Sequence, residues 1–194
     1  MAAVCREMDT RDSFMKDDNK EKSKKIVALV TGATGFIGSH LVSLLLERDF
    51  EVRIYSRRQL SDVNGSKIDK SHWFVGELDD FELLGKACDG VDVVFHIAGM
   101  SHSSARATGE VSRINTLGTY HMFSAAVLKG VKRFVYFSSI LSSQPDRSAY
   151  AASKNSAERI LLSNNKDLSN TDVIILRPAN VYGPGMRGSI STFI

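Results

Sequence analysis

Tyr150 and Lys154 stand four residues apart in Tyr150-Ala151-Ala152-Ser153-Lys154, inside a stretch whose pattern predicts a helix over Ala149–Ser163. Positions i and i+4 share a helix face, so the phenol and the ammonium can meet at one site. A free tyrosine ionises near pH ~10, and a neighbouring ammonium favours the phenolate. A phenol lowered in this way is a usable acid/base near neutrality. Upstream, an apolar run over Arg133–Phe137 ends in Ser138-Ser139. A hydroxyl at the carboxyl end of a strand faces the crevice where doubly wound sheets take ligands, and there it can polarise a carbonyl or hold a substrate hydroxyl. A tyrosine and lysine at this spacing are most often only a solvated pair, so the pair gains meaning from what surrounds it.

The strongest companion is Thr31-Gly32-Ala33-Thr34-Gly35-Phe36-Ile37-Gly38, which follows the apolar run Ile26–Val30 and precedes a helical pattern through Leu41, Val42, Leu44 and Leu45. Strand, glycine turn and helix start make a phosphate cradle, because the free helix-start amides and the helix dipole both favour an anion. The spacing is G-x-x-G-x-x-G, one residue longer in its first gap than the general dinucleotide fingerprint. About 20 residues beyond the glycines, an acid would accept the 2′-hydroxyl of NAD. This chain has Tyr55-Ser56-Arg57-Arg58 there instead. A guanidinium pairs with a 2′-phosphate, so Arg57 and Arg58 favour NADP as the cofactor, with NAD as the alternative.

These groups need a scaffold, and the chain supplies a regular one. Strand-like runs at Ile26–Val30, Glu51–Tyr55, His72–Val75, Val91–Ile97, Arg133–Phe137 and Asp172–Leu176 alternate with helical patterns at Leu41–Arg48, Phe81–Cys88, Asn115–Lys129 and Ala149–Ser163. Alternation of this kind predicts an α/β fold, a doubly wound parallel sheet in the order 3-2-1-4-5-6. Residues 25–179 form the dinucleotide-binding domain in this reading. Residues 1–24 read as a disordered polar leader, and 180–194 as the start of a truncated substrate lobe, the chain being the front portion of a longer protein. The 194 residues carry a net charge of only +3, which demands neither nucleic acid nor an anionic membrane. No apolar stretch approaches the ~20 residues of a bilayer span. Cys5 and Cys88 have no metal-ligand spacing, and the histidines suggest no metal site. The cysteine usage fits a cytoplasmic location.

Taken together, the motifs resemble the extended branch of the short-chain dehydrogenase/reductase superfamily, the NAD-dependent epimerase/dehydratase family. The resemblance covers roughly residues 25–188. It rests on Thr31–Gly38, His96-Ile97-Ala98-Gly99, Asn115 before Gly118-Thr119, Phe134–Ser139, Tyr150–Lys154 and Leu176–Gly185. It implies a Rossmann fold and an enzyme acting by hydride transfer. It places Gly32, Gly35, Phe36, Ile37 and Gly38 along the pyrophosphate, and Glu77 and Leu78 at the adenine. Ala98 and Gly99 would flank the ribose and nicotinamide, Asn115 would be a structural and water-organising residue, and Pro178 would border the nicotinamide. Ser139, in preference to Ser138, would be the catalytic hydroxyl. Tyr150 would be the acid/base, with Lys154 binding the ribose. Asn180 would bind substrate, as would Ser101 in the polar loop Ser101–Ser104. A nucleotide sugar is the substrate class the resemblance favours. The alternatives are a ketone or aldehyde reductase of the sterol- or flavonoid-reductase type, and a non-catalytic dinucleotide-binding fragment or sensor. A homodimer through the helices at Asn115–Lys129 and Ala149–Ser163 is also implied.

Overall fold

The computed structural model describes residues 24–100, 108–164 and 170–185. Residues 1–23 of the proposed leader, the Ser101–Ser104 loop and the end of the chain beyond Gly185 lie outside the described residues. Parallel strands β1 (Val27–Thr31), β2 (Glu51–Ser56), β3 (Trp73–Val75), β4 (Val93–His96), β5 (Arg133–Phe137) and β6 (Asp172–Leu176) form one sheet in the order 3-2-1-4-5-6. The expected topology is therefore the observed one. Every neighbouring pair is parallel, with Thr31 level with Tyr55 on one side and His96 on the other. The carboxyl ends of β1, β2 and β4 thus finish along one line.

Helices α1 (Phe36–Glu47), α2 (Phe81–Cys88), α3 (Thr108–Ser112), α4 (Gly118–Leu128) and α5 (Ala149–Asn164) return the chain between strands. Helix α2 starts where Asp80 accepts the Leu83 amide at 3.0 Å, an N-cap that satisfies one of the free donors of its first turn. Helices α2, α4 and α5 bury one sheet face around Leu29, Val94, Phe134 and Tyr136. Helix α1 and the segment near Val63 bury the other around Ala28, Val30, Ile54 and Val135. Strands buried on both faces read as continuous apolar runs, which is why β1 is Val-Ala-Leu-Val-Thr without alternation. Strand β6 does alternate. Val173 and Ile175 pack inward, while Ile174 and Leu176 stay exposed on the opposite face. No helix among the described residues is long and apolar enough to cross a membrane.

The sequence expects one helix over Asn115–Lys129. The structure instead gives α3, a π-helical turn at Arg113–Leu117, and α4. The extra residue of a π turn rotates a helix face, a device frequent at functional sites. Here it carries Asn115.

Candidate active site

The glycine turn forms first, from the backbone. Gly32 has φ +70°, a left-handed conformation open to glycine. A Cβ on Gly32 would sit 2.7 Å from the Ala98 amide nitrogen, and one on Gly38 only 2.2 Å from the Gly32 carbonyl oxygen. At Gly32 and Gly38 the turn is thus pressed between β4 and α1 with no room for a Cβ. Helix α1 starts at Phe36 with Gly35 as its N-cap, no capping side chain, and no acid in its first turn. Its first amides are left for an external acceptor.

Behind the turn lies a buried polar chain. The Thr31 hydroxyl accepts the Ile97 and Ala98 amides, each at 3.1 Å, so its own proton goes to His96 Nδ1 at 2.9 Å. The Thr119 hydroxyl donates to the Asn115 carbonyl at 2.7 Å, so His96 Nε2–H donates to Thr119 at 3.1 Å. This assigns His96 as the neutral Nε2–H tautomer. Complete burial pushes its pKa down to about 3, with the Lys154 charge pushing the same way. His96 is a structural connector, its two nitrogens engaged by Thr31 and Thr119 and its side chain buried away from the cavity wall.

Asn115 continues the chain. Its Oδ1 accepts the Met100 amide at 2.7 Å, and its Nδ2 donates to the Met100 carbonyl at 3.1 Å and to Ser153 Oγ at 3.0 Å. Ser153 in turn donates to the Tyr150 carbonyl at 2.8 Å. One asparagine thereby holds the strand-end loop at Met100 and the first turn of α5 together.

Ser139 follows β5 and caps a short 3-10 turn, Ile140–Ser143, by accepting the Leu141 amide at 3.2 Å. Tyr150 is half-buried in α5. Burial raises its pKa, and a hydrogen bond from Ser139 works against that by favouring the phenolate. The ammonium expected to lower Tyr150 is turned elsewhere. Lys154 is only 4% exposed, donates to the Phe137 carbonyl at 2.8 Å, and lies 4.7 Å over the Tyr136 ring. Burial brings its own pKa down to about 8, and Glu158 partly offsets this. Its Nζ is 3.6 Å from where a Cβ on Gly99 would be. Lys154 therefore sits beneath the loop of Ala98 and Gly99, close to the surface a ribose would cover.

One cavity of about 850 Å³ joins these parts. Its walls include Gly32, Gly35, Phe36, Ile37, Gly38, Arg57, Glu77, Leu78, Ala98, Gly99, Ser139, Tyr150, Pro178 and Asn180. Arg58 is exposed but is not among the lining residues, so of the two arginines Arg57 is the one placed to meet a ligand. Asn115 and Lys154 lie behind the wall, and Ser101 is outside the described residues. A flank the sequence reading missed comes from α3, the π turn and α4: Glu110, Arg113, Ile114, Leu117, Gly118 and His121. Their three-and-four spacing is a helical face, but its mixture of charge and carbon conceals it from a search for apolar periodicity. Arg113 also bridges to Asp79 at 3.2 Å across the rim. Among the described residues, no three His, Cys, Asp or Glu side chains are grouped to hold a metal ion.

Known proteins share this sequence pattern and this fold. Residues 28–194 match the NAD dependent epimerase/dehydratase family. A UDP-glucose 4-epimerase of Vibrio cholerae is 32% identical over 189 residues, covering 86% of this chain and 55% of the epimerase. A ceramide reductase of Caulobacter vibrioides is 31% identical over 176 residues, covering 86% of this chain and 50% of the reductase. The structure of MoeE5 in complex with UDP-glucose and NAD superposes with a TM-score of 0.72 at 31% identity, covering 82% of this chain and 56% of that one. The chain thus spans about half the length of the curated relatives it matches. With the glycine turn, the parallel sheet and the shared cavity in place, the chain belongs to the NAD dependent epimerase/dehydratase family.

Proposed function

We propose that the protein is a nicotinamide-dependent oxidoreductase, epimerase or dehydratase that works through Ser139, Tyr150 and Lys154, with a nucleotide sugar as its substrate. The observation that carries this reading is the single cavity, which brings the glycine turn, Ser139, Tyr150 and Asn180 to one space. The glycine turn fits a dinucleotide because its uncapped helix start leaves amides free and any added Cβ would meet backbone. A nicotinamide bound there would supply or accept the hydride. Gly32 to Gly38 hold the pyrophosphate, and Glu77 and Leu78 border the adenine. Lys154 holds the ribose from beneath Ala98 and Gly99. Tyr150 passes a proton to or from the substrate oxygen while Ser139 holds that oxygen and stabilises its developing charge. UDP-glucose 4-epimerase and the UDP-glucose complex of MoeE5 support the nucleotide sugar.

Tyr150→Phe in an active form of the protein, assayed with UDP-glucose, tests the acid/base. Its turnover falls about a hundredfold or more, whereas unchanged turnover removes Tyr150 from the mechanism.

A reductase acting on a ketone or aldehyde is the second reading, and Arg57 favours it. A guanidinium in the cavity after β2, flanked in sequence by Ser56 and Arg58 and not by an acid, selects the 2′-phosphate of NADP. Calorimetry with both cofactors decides between them. NADP binds more tightly than NAD, and Arg57→Ser loses about tenfold in NADP affinity alone. Equal affinities in the parent chain defeat the arginine assignment. A homodimer through α4 and α5 fits the exposed Tyr120, Leu128 and Leu162 on these helices. Sedimentation of a monomer at micromolar concentration would overturn it.

A further inference from the structure

One buried ionised group is left over once the proposed chemistry is assigned. Glu158 lies one turn beyond Lys154 on α5, is 2% exposed, and is absent from the cavity wall. An isolated carboxylate in such a place would be costly, so its partners are informative. The carboxylate accepts the Ser138 hydroxyl, the Ser142 hydroxyl at 2.7 Å, and Arg177 through Nε at 3.0 Å and Nη2 at 2.6 Å. Burial alone would push this carboxyl up, but the bonds from Arg177, Ser138 and Ser142 together hold it below the ordinary value.

The donors belong to different parts of the site. Ser138 immediately precedes Ser139 at the end of β5. Ser142 lies in the 3-10 turn that Ser139 caps. Arg177 immediately follows β6 and leads into Pro178 and Asn180, both in the cavity wall. The same strand ends are joined by the Ser138 amide to the Leu176 carbonyl at 2.8 Å, and by the Ile140 amide to the Pro178 carbonyl at 3.0 Å. Tyr150, Lys154 and Glu158 fall at i, i+4 and i+8 on one face of α5. The carboxylate is therefore the common acceptor for each backbone segment that must keep station with the tyrosine.

We propose that Glu158 is a positioning residue for the reaction, its buried carboxylate locking the Ser139 turn and the 177–180 segment to the helix face that carries Tyr150 and Lys154. This rests on the Ser139–Tyr150–Lys154 reading above. Glutamine in its place keeps the shape but offers Arg177 an amide donor where an acceptor stood. It also removes the negative charge that helps keep Lys154 protonated. The other groups facing Lys154 are the Tyr136 ring on β5 and neutral His96 on β4, neither of which can replace that charge.

The test follows Lys154 by carbon-13 NMR at Cε, with Lys154→Met for assignment, and amide exchange at Ser138 and Ile140. In Glu158→Gln, Lys154 titrates below its value of about 8, and the two amides exchange roughly tenfold faster or more. Both changes together support the proposal. A Lys154 titration unchanged from the parent overturns it, and so do unchanged amides or an acceleration shared equally by core amides such as Leu29. If Glu158→Gln does not fold, Arg177→Gln and Ser142→Ala decide. Each removes donors and keeps the carboxylate, and each speeds Ser138 and Ile140 selectively, whereas parent rates in both overturn the proposal. Tyr150→Phe with unchanged turnover would end the underlying reading and leave these titration and exchange results interpretable by themselves.

Discussion

Gly38→Ala puts the strongest strain on the glycine turn, because two effects of known size compete there. Position 38 is in the first turn of α1, where alanine gains at most about 1 kcal/mol over glycine in helix propensity. Against this, the new Cβ would lie 2.2 Å from the Gly32 carbonyl oxygen, 2.8 Å from the Gly32 carbonyl carbon and 2.9 Å from Ala33 Cα. An ordinary carbon contact is about 3.5 Å, so α1 must retreat by roughly 1 Å. Each of those atoms is backbone, so no rotamer change can relieve the clash, and overpacking of this kind costs about 1–3 kcal/mol or more. The clash wins by about 1 kcal/mol, which lowers Tm by roughly 2–4 °C for a chain of this size. The displaced turn also loses at least one amide-to-phosphate bond, about tenfold in cofactor affinity. Gly85→Ala is the control. Gly85 is inside α2, and its Cβ would meet only Lys129 Cε at an ordinary 3.8 Å. That variant gains the propensity alone and melts about 2–4 °C higher with parent affinity. Thermal melts and calorimetry with NADP and NAD read both variants. A Gly38→Ala chain as stable as the parent, or one binding cofactor equally well, would refute the close-approach reasoning.

Acid stability should depend on His96. The unfolded chain takes up a proton at this residue near pH ~6.5, the folded chain only near 3, so stability falls as pH drops through that window. His96→Gln flattens the slope of Tm between pH 6.5 and 3, and an unchanged slope would contradict a neutral buried imidazole. Lys154 sets an alkaline limit. Its ammonium is lost as pH rises through about 8, so calorimetric affinity for NADP falls above that pH, and Lys154→Arg removes the falling limb. Cys88 is buried and its thiol is pushed up to about 12 by burial, so a Cys5→Ser chain resists a thiol reagent until it unfolds. Rapid labelling of the native chain would show that α2 opens.

The sheet was legible because burial on both faces leaves a plain record. Strands β5 and β6 have the limits their apolar runs suggest, and β4, at Val93–His96, is shorter than Val91–Ile97. Just before β4, the Asp92 side chain accepts the Val27 amide at 3.1 Å while its own amide donates to the Val27 carbonyl at 2.9 Å. The glycine turn, Ser139 and Tyr150 were equally legible, since each depends on local spacing and on a strand or helix end. What was hidden depends on partners distant in sequence. The π turn at Arg113–Leu117 is a change of hydrogen-bond ladder that leaves no compositional mark. Glu158 looks like a solvated helix acid until β5 and β6 bring Ser138 and Arg177 against it. The upward shift of Tyr150 was hidden for the same reason, because the direction of the Lys154 side chain is decided by the Phe137 carbonyl.

Three ionisable groups buried within a few turns of one another show how the site is balanced. His96 escapes the cost of burial by staying neutral, since a threonine hydroxyl engages each ring nitrogen. Glu158 stays charged because it accepts donors from three residues, one of them a bidentate guanidinium. Lys154 has neither solution. A carbonyl and an aromatic ring hold its ammonium without neutralising it, which leaves it able to lose its proton near pH 8. Of the three, it alone has its charge undecided at physiological pH and lies directly beneath the loop that borders the cavity. The fold has fixed the charge of the two supporting groups and left adjustable the one proposed to meet the cofactor.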